Sequence, residues 1–95
     1  MIESGSMSNF EHSLGNAQTV WSELSSLTFE TLEQTNGVAT IIRFRLNNEH
    51  VRLGDVLVVM DGKEIRFHGL ITLVDEQGWA VAVDRRGSSL PAGVQ

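Results

Sequence analysis

Through the second half of the chain, apolar and polar residues alternate with the period of two that places strand side chains on opposite faces. The stretch 52–83, RLGDVLVVMDGKEIRFHGLITLVDEQGWAVAV, reads as three strands joined by tight turns. Its first strand breaks the alternation. Val56-Leu57-Val58-Val59-Met60 is continuously apolar, as in a strand covered on both faces or a buried helix, and its three valines and flanking turn signals favour the strand. Asp61-Gly62 predicts a type I′ hairpin. The next strand sets Ile65, Phe67, Gly69, Ile71 and Leu73 on one face and Glu64, Arg66 and His68 on the other, and from Leu70 both faces become apolar. Gly69 marks a bend suited to a sheet that curls. After an acidic turn, Asp75-Glu76-Gln77-Gly78, Trp79, Val81 and Val83 alternate with Ala80, Ala82 and Asp84.

Upstream, Asn36-Gly37 is the strongest hairpin signal in the chain. It joins a strand over 28–35 to one over 38–46, in which Ile42, Phe44 and Leu46 face one way and Ile41, Arg43 and Arg45 the other. Residues 8–27 are read as a helix. Ser8 and Glu11 form a capping box, and Phe10, Leu14, Ala17, Trp21 and Leu24 fall on one stripe. Gly15, Asn16, Thr19 and Val20 lower its propensity, so tertiary contact must hold it, first over an open barrel end and second on a neighbouring subunit.

The expected fold is therefore α+β and mainly β: an N-terminal helix plus a five-stranded antiparallel small barrel or sandwich. Residues 1–7 read as a tag remnant or flexible terminus, 8–86 as one helix-plus-barrel domain, and 87–95 as a flexible tail rich in Gly, Ser and Pro.

Composition narrows the chemistry. A chain of 95 residues is one domain with a modest core. Without cysteine there is no disulfide framework and no thiolate ligand or nucleophile. No apolar run approaches the roughly 18 residues of a membrane span, and the first basic residue is Arg43, which reads as a cytoplasmic or virion protein. Before Arg43 stand Glu3, Glu11, Glu23, Glu30 and Glu33 and no base; from there on, acids and bases balance, so the net charge of −5 belongs to the N-terminal part. An acidic chain is a poor general partner for phosphate backbones.

His12, His50 and His68 lack metal-ligand spacing. Asp55, Asp61, Asp75 and Glu76 sit in turns, where Asp serves local backbone hydrogen bonds. No phosphate-binding glycine loop and no nucleophile elbow occur. The expectation is a non-enzyme without cofactor or metal. Arg43, Arg45, Arg52, Arg66, Arg85 and Arg86 outnumber Lys63, and arginine suits interfaces. Single-stranded nucleic acid would need exposed aromatics between these cations, whereas Phe44 and Phe67 point away from them. A solvated or salt-bridged face ranks first, a protein interface second and nucleic acid third.

Several segments resemble the lambda-type phage head–tail joining proteins: Met7-Ser8-Asn9-Phe10-Glu11, Val51-Arg52-Leu53-Gly54-Asp55 with the apolar run after it, Val74-Asp75-Glu76-Gln77-Gly78, and Arg85-Arg86-Gly87. The stretch 54–71 is also similar to a barrel segment of phage baseplate hub and type VI spike proteins. The resemblance covers about half the chain and implies a ring-forming structural subunit without catalytic residues. Protein partners, a homo-oligomer or a phage-like assembly, would be met through Phe10, Trp21, Leu24, Arg43, Arg45, His50, Arg66, Arg85 and Arg86. Alternatives are a stand-alone barrel binding single-stranded nucleic acid through Arg43, Arg45 and Arg66, and a bacterial adaptor or regulatory domain with a peptide partner.

Overall fold

A computed structural model describes residues 17–47 and 50–92. Residues 1–7, the helical reading over 8–16 with Phe10 and its Ser8/Glu11 capping box, residues 48–49 and residues 93–95 lie outside the described residues.

Six strands form one mixed sheet. They are β1 (Thr19–Glu23), β2 (Leu27–Thr35), β3 (Val38–Leu46), β4 (Val56–Asp61), β5 (Glu64–Val74) and β6 (Ala80–Asp84), in the spatial order β1-β4-β5-β6-β3-β2. The mainly β reading holds, and the run at 56–60 is a strand with Leu57, Val58 and Val59 buried. Two expectations are corrected. The second half of the expected helix is strand β1 followed by a single 3-10 turn, Leu24–Ser26. Among the described residues the sheet has six strands, with β1 parallel to β4, and it does not close into a barrel. The reason for the first is local: Thr19, Val20 and Trp21 prefer extended backbone, and β4 offers them a free edge.

The sheet is nevertheless strongly coiled. Six flat strands would hold their outer edges about 24 Å apart at about 4.8 Å per strand. Only the three residues Leu24–Ser26 separate β1 at one edge from β2 at the other, a reach of at most about 14 Å. The edges therefore approach at this corner, and the concave face folds around Phe29, Ala39, Ile42, Phe44, Leu57, Val59, Phe67, Ile71, Ala80, Ala82 and Leu90. Burying each large side chain of this set is worth roughly 1.5–3 kcal/mol.

The turns follow from glycine and asparagine. Asn36 (φ 53°) and Gly37 (φ 81°) make the expected type I′ turn. The second hairpin sits one residue later than its sequence signal. Asp61 pairs with Glu64, so Gly62-Lys63 is the loop, and positive φ falls on Gly62 alone, the pattern of a type II′ turn. Register shifts between Val59 and Met60 and between Ile71 and Leu73 bend β4 and β5. Beyond the second, Leu73 and Val74 are exposed, so the end of β5 is not covered on both faces as its sequence implies.

Residues 87–92, read from composition as tail, are built into the domain. Leu90 is fully buried. Its carbonyl accepts the Ala39 amide at 2.8 Å, the Ala92 amide donates to the Gly37 carbonyl at 2.8 Å, and Val38 and Pro91 form a bridge. The segment crosses one open end of the coil and plugs it.

Asp55 ties the other side together. It is 3% exposed. Its Oδ1 accepts the Gln18 amide and its Oδ2 the Arg52 amide, each at 3.1 Å, which anchors the start of β1 to the turn before β4. Asp55→Ala leaves both donors without their acceptor, so stability should fall by about 2 kcal/mol, read as a lower urea midpoint at unchanged slope. Asp55→Asn retains one acceptor and should lose less.

Candidate functional site

The arginines expected at an interface do not converge. On the outer, convex face, Arg43 of β3 lies 4.2 Å from the centroid of the Trp79 ring, a cation–π arrangement, and its Nη1 donates to Glu30 Oε2 at 3.2 Å. Arg66 of β5 bonds within the chain through all three of its guanidinium nitrogens. Its Nη1 donates to Asp61 Oδ2, its Nε to Ser89 Oγ and its Nη2 to the Ser89 carbonyl, all at 3.1 Å. Its own carbonyl accepts from the Ser89 amide and from Ser88 Oγ. Arg66 thus clamps the segment that carries Leu90. Arg45, two residues along β3 from Arg43, lines a polar cleft of about 410 Å³ with Leu46, His50, Asp75 and Glu76. Arg85 and Arg86 are exposed after β6, and the Arg85 amide donates to the His68 carbonyl. Two of the three arginines offered for nucleic acid are therefore occupied within the chain.

The turn acids do what turn acids do. Asp75 Oδ1 accepts the Gln77 amide at 2.8 Å and the Trp79 amide at 3.0 Å. Among the described residues, no group of three His, Asp or Glu side chains could hold a metal ion. His68 Nδ1 and Asp84 Oδ1 are buried polar atoms without a partner among the described residues. They do not form a pair: Asp84 is in register with Gly69, so by alternation it faces away from His68.

The apolar candidates form a more coherent arrangement. Trp21 on β1 is 59% exposed, and Leu24 in the 3-10 turn packs partly against the core. Beside Leu24 opens a groove of about 380 Å³, lined by Leu24, Leu27, Thr28, Phe29, Arg66, Leu90 and Pro91. It runs along the start of β2, an edge strand. The groove exists because the coil stays open there: Leu27 and Phe29 face inward, and no strand covers them from the free side among the described residues. Sequence reasoning named Trp21 and Leu24 but not Leu27, Phe29, Leu90 or Pro91. The available signal was the Leu90-Pro91 pair, the only apolar residues between Val83 and Ala92.

Further exposed apolar side chains are Leu32, Leu53, Ile65, Leu73 and Val74. No helix among the described residues is long and apolar enough to cross a membrane. No protein-family model matches this chain, nor does any curated protein or solved structure.

Proposed function

We propose that this chain is a non-enzymatic structural subunit of a phage or prophage particle, acting at a head–tail or tail joint through protein–protein contacts, and present in the cytoplasm or the virion. The observation that carries the reading is the division of labour between side chains. Arg43 and Arg66 are spent on intrachain ion pairs, while Trp21, Leu32, Leu53, Ile65 and Leu73 stand at least half exposed or nearly so. Such residues, Trp21 and Leu32 on the two edge strands and Ile65 and Leu73 on β5 within the sheet, suit contact with protein. The head–tail assignment itself rests on the sequence resemblance.

Two measurements test it. After prophage induction in the source organism, the chain should co-sediment with particles through a density gradient; recovery only in the soluble fraction overturns the proposal. Titration with a single-stranded oligonucleotide at low salt should show no binding that weakens steeply as salt rises. Tight, salt-sensitive binding would replace the assembly reading with the nucleic-acid one.

A further inference from the structure

Among the described residues the sheet has two free edges, and they are unlike each other. We propose that copies of this chain associate head to tail by strand addition, the free edge of β1 in one copy pairing with residues 27–31 of β2 in the next. The inference rests on the reading of the chain as an assembly subunit and names its partner as a second copy.

The ladder fixes which main-chain groups are available. The Gln18 carbonyl accepts the Val56 amide at 2.9 Å. In the parallel pairing that continues from it, Gln18, Val20 and Ser22 direct their groups to β4, which turns those of Thr19 and Trp21 outward, while the Glu23 carbonyl already accepts Ser22 Oγ at 3.1 Å. On the other side, the Ala39 amide goes to Leu90 and not to β2. The register shift between Ala39 and Ile41 reverses that phase. The Arg85 amide bonds to the His68 carbonyl, so Val83 faces β5, and Ala82 and Ala80 bond to Ile42 and Phe44. This leaves Arg43 and Arg45 to bond across to Glu30 and Thr28 and turns the amides and carbonyls of Phe29 and Thr31 outward.

Soluble proteins guard such edges with Lys, Pro, bulges or very short strands. Neither stretch here carries Lys or Pro. The irregularity of β2 begins only after Thr31, and β1 has none. The two unguarded stretches are matched in length: β1 is five residues, and residues 27–31 are five. Their relief differs in a complementary way. β1 carries the projecting Trp21, and β2 borders the recessed apolar groove of Leu24, Leu27, Phe29 and Leu90. Acidic repulsion is limited, because Glu30 is held by Arg43 and Glu23 Oε1 accepts the Gly62 amide. Since the two edges are different surfaces, the contact is heterologous and produces a closed ring or an open filament rather than an isologous dimer.

Sedimentation velocity of the full chain at rising concentration tests this. The wild type should run as species larger than a monomer that grow with concentration. Proline removes an outward donor without breaking the chain's own ladder. Thr31→Pro should therefore disable the β2 edge, Thr19→Pro the β1 edge, and each variant alone should be monomeric. Mixed together, each supplies the edge the other lacks, so they should form a 1:1 dimer and nothing larger. Far-UV circular dichroism checks that each is folded; Thr28→Lys and Trp21→Lys, which place a guarding charge on each edge, replace a variant that is not. A wild type that stays monomeric, proline variants that assemble like wild type, or a mixture that stays monomeric overturns the inference. A monomeric wild type leaves the particle experiment to decide the assembly reading separately.

Discussion

Adding one methyl group at Gly69 is expected to lower the stability of this domain by about 3 kcal/mol or more, at or above the upper end of ordinary overpacking. Gly69 occupies the interior of β5, in register with Leu57 on one side and Asp84 on the other. A Cβ there would stand 2.4 Å from Phe67 Cε1, 2.9 Å from Phe67 Cζ and 2.8 Å from the Val83 carbonyl oxygen. The ring is fully buried and has little room to retreat. The carbonyl is backbone of the neighbouring strand, so moving it strains the sheet. A domain of this size has a total stability near the low end of about 5–15 kcal/mol, so Gly69→Ala should be largely unfolded at moderate urea. The conflict is shared between backbone and ring, and pairing the substitution with Phe67→Leu separates the two. If the ring dominates, the double variant is less destabilised than the sum of the singles. Additive losses would assign the clash to Val83. A Gly69→Ala variant as stable as wild type would mean that the ring is not packed over this glycine.

Leu90→Ala should cost about 3 kcal/mol, within the range for a buried leucine. Leu90 is fully buried inside the core cluster although it lies in a Gly-, Ser- and Pro-rich segment. Its carbonyl also satisfies the Ala39 amide, which no strand partner reaches. A chain ending at residue 86 should do worse than the point variant. It loses the buried side chain, the acceptor for Ala39 and the Ser88 and Ser89 partners of Arg66 together. Thermal unfolding followed by near-UV circular dichroism should show no cooperative transition for that chain. A normal transition would show that the domain ends at Arg86, as composition alone suggests.

The surroundings of the candidate residues were legible only in part. The sequence reading puts Trp21 on a helical stripe packed first over an open barrel end; it is exposed, and on a strand. Its strand character was foreshadowed by Thr19 and Val20, whose branched side chains lower helix propensity. For Arg43 and Arg66 a solvated or salt-bridged face ranks first, and both are in ion pairs, but a one-dimensional sequence cannot show that the partners are Glu30, Asp61 and Ser89, within 3.2 Å. The groove could not be read at all. Its walls come from residues 24–29, 66 and 90–91, and no local pattern relates segments that far apart.

The residues alone determined the local geometry. Alternation set the inward face of β3, the valine run set β4 as a strand, and Asn36-Gly37 set a type I′ turn, because each depends only on neighbours a few positions away. The tertiary structure decided what no local rule reaches: that β1 would join β4 in parallel, that the coil would stay open between β1 and β2, and that Leu90 would fill its end. Those outcomes turn on which unsatisfied strand edge and which uncovered apolar surface happen to meet after the hairpins have formed. Only the three-dimensional competition between burial and main-chain pairing resolves that.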